Sequence, residues 1–147
     1  AVYAENRVLH HKMWRRLNTD EVAEPNAFAV CATVAAFTYG EEWLDQLREY
    51  IEGNKQYVTE YIKKEIPQMK VVNSEATYLM WLDISSLTTD SDAMYAFIRK
   101  TSGLYLASGR EYGSNGDGFL RLNVATNRAN VEDGMRRLKK SVEAYVK

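Results

Sequence analysis

Hydrophobic residues recur at three- and four-residue steps over three stretches of the chain, and this spacing predicts amphipathic helices. The longest stretch is GEEWLDQLREYIEGNKQYVTEYIKKEIP, which begins at Gly40 and ends at Pro67. Its shared face carries Trp43, Leu47, Ile51, Asn54, Val58, Tyr61 and Ile62. The apolar positions of a second, shorter helix are Ala93, Met94, Phe97 and Ile98. Those of a C-terminal helix are Val131, Met135, Leu138, Val142 and Tyr145.

Two further helical segments lie before the long helix. Residues 6–17 favour a short helix, and a run of turn- and cap-forming residues follows over 18–26. Residues 27–39 are rich in alanine and almost without charge, and Asn26 is placed to cap them. That composition is typical of a helix packed closely on several sides.

Between the long helix and the C-terminal helix, segments with a two-residue period indicate strands. These segments are MKVVNS, ATYLMWLDIS, LYLAS and GFLRLNVA. The segment GREYGSNGDG, between the last two, is so rich in glycine that it predicts a loop. Consecutive strands joined by short turns pair antiparallel, and helices must cover one face of the resulting sheet. The order predicts an α+β fold, with an antiparallel or mixed small sheet covered by helices and preceded by a long connecting helix.

The composition narrows the class of protein. The chain has 147 residues, 46% of them hydrophobic, which is enough to bury a core. Positive and negative charges are interspersed and the net charge is −1, which argues against a nucleic-acid-binding protein. No apolar segment has the length needed to cross a membrane. Cys31 is the only cysteine, so an internal disulfide is excluded and a reducing, cytoplasmic location is expected. Its surroundings, AFAVCATVAAF, predict a small buried residue rather than a nucleophile.

The residues alone reveal no complete catalytic site. His10, His11 and Cys31 have no partners at zinc-like spacing, so no metal site is predicted. The glycines of GSNGDG lead into a strand rather than a helix, which favours a hairpin loop over a phosphate-binding loop. No serine lies in a strand-to-helix elbow, and Glu75 and Asp83 do not form a spaced acid–base pair.

Arg121 is the one residue whose position asks for an explanation, because it interrupts the apolar strand GFLRLNVATNR. Strand alternation places Leu120, Leu122 and Val124 on one face and Phe119, Arg121, Asn123 and Ala125 on the other. Arg121 either points into solvent or lines a cleft and binds an anion, since a guanidinium donates two parallel hydrogen bonds to a carboxylate. The spacing leaves both possibilities open.

Three segments in the same order carry a resemblance to a known family: ATYLMWLDIS, GLYLASGREYG and GFLRLNVATNRANVEDGMRRL. They resemble the C-terminal small domain of fold-type I pyridoxal-phosphate enzymes of the class I/II aminotransferases. The subgroup they look most like contains the cystathionine β-lyases and related C–S lyases. WLDQLREYIEGNKQYVTEYI also looks like the long connecting helix of that family. Two positions depart from the family pattern, since Ala76 stands where glycine is frequent and Ser108 where proline is frequent.

The resemblance implies roles for two residues of this chain. Arg121 corresponds to the strand arginine that binds the α-carboxylate of the amino-acid substrate, and Tyr78 is a weaker candidate for lining the cleft. The family's cofactor is pyridoxal 5′-phosphate, held through a Schiff-base lysine upstream of the segments that match. No lysine of this chain corresponds to it, so the chain is expected to contain no catalytic residue, to bind no cofactor alone and to be inactive alone.

The resemblance also implies an organisation for the chain. Residues 1–39 correspond to the end of the large cofactor-binding domain, and residues 40–147 to the small domain with its connecting helix. The first residues, AVYAENRVLHHK, lack an initiator methionine and a signal pattern, and a fragment of a longer, homodimeric enzyme is expected. Such an enzyme is a C–S β-lyase or an aminotransferase. The alternative is a non-catalytic α+β module that binds a ligand or another protein.

Overall fold

The computed structural model describes residues 3–21 and 24–147, so two residues of the predicted turn, 22 and 23, lie outside the described part. The chain divides into two compact units, Ala1–Gln46 and Leu47–Lys147, called here the N-terminal and the C-terminal unit. The helices are α1 (Arg7–Thr19), α2 (Ala29–Tyr39), α3 (Glu41–Glu65), α4 (Ser91–Ser102) and α5 (Arg128–Tyr145). The strands are β1 (Lys70–Val71), β2 (Leu79–Asp83), β3 (Ala107–Ser108) and β4 (Phe119–Asn123). The predicted order of elements is confirmed.

In the N-terminal unit, three expectations about α2 are wrong. Asn26 accepts a hydrogen bond from the Phe28 backbone N–H at 3.0 Å, so it forms a turn before the helix, whose N-cap is Phe28. No residue of α2 is buried, Phe37 is 91% exposed, and Cys31 is exposed too. The described part of this unit consists of short helical segments without a sheet, and it supplies no layer that encloses α2 on several sides.

In the C-terminal unit, the four strands form one antiparallel sheet in the order β1-β2-β4-β3. The α+β prediction is therefore confirmed, with an antiparallel rather than a mixed sheet. The strand predicted from LYLAS is shorter than expected, because only Ala107 and Ser108 pair with β4. The glycine-rich segment that follows forms two 3₁₀ turns, Gly109–Tyr112 and Ser114–Gly116, and connects β3 to β4 as a loop.

The hydrophobic core lies between one face of this sheet and the helices. The sheet contributes Met80 and Leu82 from β2 and Leu120 and Leu122 from β4, all of them buried. The helical residues of the core are Val58 and Ile62 of α3, Met94 and Ile98 of α4, and Val131, Met135, Leu138 and Val142 of α5. These are positions that the three- and four-residue periodicity predicted. The residues that alternate with these buried positions along β2 and β4 therefore occupy the opposite face of the sheet.

One ion pair between helices gives the fold a dependence on pH. Lys139 Nζ lies 2.6 Å from Glu65 Oε2, joining α5 to α3. The hydrogen bond and the charge of Lys139 lower the pKa of Glu65 below 4.5, and the hydrogen bond and charge of Glu65 raise the pKa of Lys139 above 10.5. The Glu65 contribution to stability is present above about pH 4.5 and is lost as pH falls through the folded-state pKa. The Lys139 contribution is present below pH 10.5 and is lost as pH rises through its folded-state pKa.

We expect Glu65→Gln to lower the thermal unfolding midpoint slightly at pH 7, because the pair is partly exposed and screened. The difference in unfolding midpoint between Glu65→Gln and the wild type should become smaller as the pH falls below 4.5, because the wild-type carboxylate is then protonated. Thermal melts between pH 3 and 7, roughly the range over which carboxyls titrate, measure this. Glu60→Gln, at an exposed position of the same helix, is the control. A difference that stays constant over the range contradicts the assignment to the Glu65 charge.

Candidate functional site

Arg121 lies at the centre of the sheet, on the face opposite the core. Its backbone is paired with Trp81 of β2 on one side and with Ala107 of β3 on the other. Its neighbours Leu120 and Leu122 are buried against the helices, whereas Arg121 is half-buried. The predicted alternation of this strand is therefore confirmed, and the guanidinium is borne by the most internal part of the sheet rather than by an edge.

The guanidinium of Arg121 lies over an aromatic ring. Its Cζ lies 4.5 Å from the centre of the Tyr112 ring, which is a cation–π distance. Within Leu47–Lys147, which the structure describes completely, no carboxylate forms an ion pair with it. Other arginines of that unit do have acid partners: Arg110 pairs with Asp117 and Asp92, and Arg137 pairs with Asp133. The N–H groups of Arg121 therefore remain available to an anion from outside the unit.

A shallow cavity of about 270 Å³ opens on the same face of the sheet. Its lining residues are Val72, Trp81, Tyr112, Asn115, Gly116 and Phe119. Trp81 is the direct strand partner of Arg121, and Tyr112 is the ring beneath its guanidinium, so the cavity and the cation are adjacent. An apolar, aromatic wall next to a cation suits a ligand with a carboxylate and a short side chain.

The second predicted site residue, Tyr78, lies elsewhere on the sheet. It precedes β2, and its carbonyl oxygen accepts a hydrogen bond from the Val124 N–H at 3.0 Å. Its side chain is 44% exposed. The ring and cation–π contacts of the Arg121 cluster join Arg121, Tyr112 and Trp81 and do not include Tyr78.

Sequence reasoning missed Tyr112, which lies in the loop and belongs to no periodic pattern. The only signal for it is an aromatic residue followed by Gly113 in the loop segment GREYG. Trp81 alternates with the buried residues Met80 and Leu82 along β2, and the strand register places it directly beside Arg121.

Other kinds of site find no support in the described residues. No group of three or more His, Cys, Asp or Glu side chains comes together there in a way that could hold a metal ion. Among the same residues, no helix combines the length and the hydropathy that a membrane span requires.

Comparison with known protein sequences finds close relatives, although no family model matches the chain. Cystathionine beta-lyase PatB of Bacillus subtilis (strain 168) is 34% identical over 139 residues, covering 95% of this chain and 36% of that protein. Protein MalY of Escherichia coli (strain K12) is 31% identical over 125 residues, covering 85% of this chain and 32% of that protein. The chain thus spans about a third of the length of these relatives.

Solved structures of pyridoxal-phosphate-containing proteins are also similar to this chain. The PLP-bound C–S lyase from Staphylococcus hominis, complexed with L-cycloserine, matches with a TM-score of 0.80 and 31% identity over 93% of this chain and 33% of that one. Cystalysin from Treponema denticola, which contains a pyridoxal 5′-phosphate cofactor, matches with a TM-score of 0.88 and 25% identity, covering 95% of this chain and 36% of that one.

Proposed function

Because the chain belongs to the fold-type I pyridoxal-phosphate-dependent aminotransferase family, in its cystathionine β-lyase subgroup, we propose that it binds the substrate carboxylate in an enzyme acting on amino acids. One observation carries the proposal. Arg121 presents a guanidinium without an acid partner in its unit, at the centre of the sheet and beside a cavity. The resemblance of the segment around Arg121 to the family's strand motif supports the same assignment.

The chemistry of Arg121 suits an α-carboxylate. Its planar fork donates two parallel N–H bonds, one to each carboxylate oxygen, and this fixes both the position and the rotation of the group. A substrate whose carboxylate is fixed has fewer orientations for the bonds at its α-carbon. The cavity lined by Trp81 and Phe119 then receives part of the remaining substrate.

The residues of this chain do not fit a pyridoxal-phosphate site on their own. That cofactor, which stabilises a carbanion at the substrate α-carbon, requires a lysine for its aldehyde. The cavity beside Arg121 has no lysine in its lining. Lys139 is paired with Glu65, and Lys55 donates to the Ser74 carbonyl oxygen at 2.9 Å. In the proposal, the lysine and the rest of the cofactor site come from the parts of the protein outside this chain.

The same proposal assigns residues 1–39 to the large cofactor-binding domain and 40–147 to the small domain with its connecting helix. The exposed apolar side chains of α2, such as Phe37 and Val34, support the first assignment. Side chains of this kind are normally covered by other parts of a protein. We further propose that the whole enzyme is a cytoplasmic homodimer.

The relatives favour C–S β-elimination over transamination, because PatB is named a cystathionine beta-lyase and the Staphylococcus hominis protein a C–S lyase. Both reactions begin with loss of the α-proton and need the same carboxylate contact. The proposed activity is therefore cleavage of an amino acid such as L-cystathionine, with consumption of one water molecule, into homocysteine, pyruvate and ammonia, with transamination as the related alternative.

We expect the full-length protein supplied with pyridoxal 5′-phosphate to release pyruvate and homocysteine from L-cystathionine, and the 147-residue chain to release neither. The physical reason is the missing Schiff-base lysine. Visible absorbance of the lysine-bound cofactor, followed with and without borohydride reduction, should likewise appear in the full-length protein alone. Turnover by the 147-residue chain contradicts the assignment of the lysine to another part of the protein. Oxo-acid-dependent amino transfer without pyruvate release identifies an aminotransferase.

A further inference from the structure

Three aromatic and cationic side chains form a cluster on the open face of the sheet. The Arg121 guanidinium lies over the Tyr112 ring at 4.5 Å, and Trp81 meets the same ring edge-on at 5.4 Å with an interplanar angle of 88°. Trp81 is also the backbone partner of Arg121. The ring of Tyr112 is therefore contacted by two residues that the sheet itself holds side by side.

The loop that carries Tyr112 is fixed by charged hydrogen bonds. Arg110 donates through Nε to Asp117 Oδ1 at 2.9 Å and through Nη2 to Asp117 Oδ2 at 3.2 Å. This bidentate bond closes the loop on itself, and it raises the pKa of the Arg110 guanidinium. Ser108, at the start of the loop, donates to Asp92 Oδ1 of α4 at 2.5 Å. Tyr112 thus lies in a segment anchored on both sides rather than in a free loop.

Backbone contacts restrict the same loop further. Gly109 and Gly116 lie against each other, and a Cβ atom on either residue would collide with the carbonyl oxygen of the other. The hydroxyl of Ser91 donates to the Gly116 carbonyl and accepts from the Phe119 N–H, each at 3.1 Å. The loop conformation is therefore determined by close packing and by a buried hydroxyl at the start of α4.

A guanidinium that lies over an aromatic ring can still bind an anion. The ring attracts the positive charge through its π face, whereas a carboxylate accepts hydrogen bonds from the N–H groups. Tyr112 therefore restricts the long, flexible Arg121 side chain without occupying the N–H donors. An acidic partner would restrict it too, but it would compete with the substrate for those donors.

From this geometry, and resting on the proposed carboxylate role of Arg121, we propose that Tyr112 is a positioning residue for substrate binding. Trp81 and the anchored loop hold the Tyr112 ring in place. The ring in turn restricts the Arg121 guanidinium to an orientation in which its N–H groups face the α-carboxylate. Loss of the ring leaves the charge in place but lets the side chain sample other rotamers. The consequence is weaker recognition of the carboxylate rather than a loss of the chemical step.

The test uses the full-length enzyme with its cofactor and compares two competitive inhibitors of L-cystathionine cleavage. One is L-methionine, and the other is its decarboxylated counterpart, methylthiopropylamine. The ratio of their inhibition constants isolates the carboxylate contact. For Tyr112→Leu we expect this preference for the amino acid to fall by roughly 3- to 10-fold, with KM raised and kcat nearly unchanged.

Three variants make the result specific. Tyr112→Phe keeps the ring and should keep the preference, and Tyr112→Met is a second variant without a ring. Tyr105→Leu is the matched control, because Arg99 lies over the Tyr105 ring at 4.9 Å in a similar pair on the surface. It should leave the preference unchanged. Thermal melts confirm that each variant is folded, as expected for Tyr112, which is 48% exposed.

Failure of this inference is distinct from failure of the proposed function. If Arg121→Ala abolishes the preference while both Tyr112→Leu and Tyr112→Met retain the wild-type value, the positioning role is wrong and the carboxylate role of Arg121 stands. If Arg121→Ala retains the preference, the carboxylate role is wrong and the positioning role falls with it. If the wild-type enzyme binds both inhibitors equally well, the carboxylate role of Arg121 is also wrong, and the positioning role of Tyr112 falls with it.

Discussion

We expect replacement of Arg121 by alanine to lower kcat/KM for an amino-acid substrate by a factor of about 150 in the full-length enzyme, equivalent to roughly 3 kcal/mol. Loss of a bidentate, charge-assisted contact in a partly buried site has this magnitude, because the substrate carboxylate then loses both hydrogen-bond donors. Steady-state cleavage of L-cystathionine, followed by pyruvate release, measures the effect. Unchanged kinetics would remove the carboxylate role.

Two further variants calibrate this result. Arg121→Lys keeps the charge but loses the planar fork, so we expect an intermediate loss rather than full activity. Arg99→Ala removes another arginine that stacks on a tyrosine, on the exposed surface of α4. It should leave kcat/KM unchanged. Equal losses for Arg99→Ala and Arg121→Ala indicate a general effect of removing positive charge rather than a specific contact.

Replacement of Leu120, the residue before Arg121, should have a large effect on stability, whereas replacement of Arg121 should mainly affect activity. Leu120 is fully buried between the sheet and the helices. We expect Leu120→Ala to lower the free energy of unfolding by about 3 kcal/mol, since it removes buried methyl groups and leaves a cavity in a packed core. Arg121→Ala should change it by less than about 0.5 kcal/mol.

Denaturant unfolding followed by circular dichroism measures this difference between the two faces of β4. Leu104→Ala is the matched control, because Leu104 is only partly buried against the same core. Its cost should be clearly smaller than that of Leu120→Ala. Similar costs for Leu120→Ala and Arg121→Ala contradict the assignment of the two faces.

The sequence predicts those features of the fold that follow from local periodicity. The buried positions of α5, such as Met135 and Leu138, recur at helical spacing and need no knowledge of the rest of the chain. The two faces of β4 follow from strict alternation, which separates Leu120 from Arg121. Gly103 follows α4 directly and is left-handed, at φ 70°, which is the conformation in which glycine commonly ends a helix.

The features that depend on distant contacts could not be predicted in this way. Tyr112 reaches Arg121 only because Gly109 and Gly116 allow their backbones to touch and Arg110 closes the loop, and no periodic pattern encodes this. The exposure of Cys31 was also missed. An apolar, alanine-rich helix carries the same pattern whether or not the covering residues belong to the same chain.

The most direct measurement of the central claim is a crystal structure of the full-length enzyme, with its cofactor, bound to an amino-acid inhibitor such as L-methionine. We expect both carboxylate oxygens to lie about 2.8 Å from the terminal nitrogens of Arg121, with its guanidinium still over Tyr112. A carboxylate bound by other residues, with Arg121 directed into solvent, contradicts it.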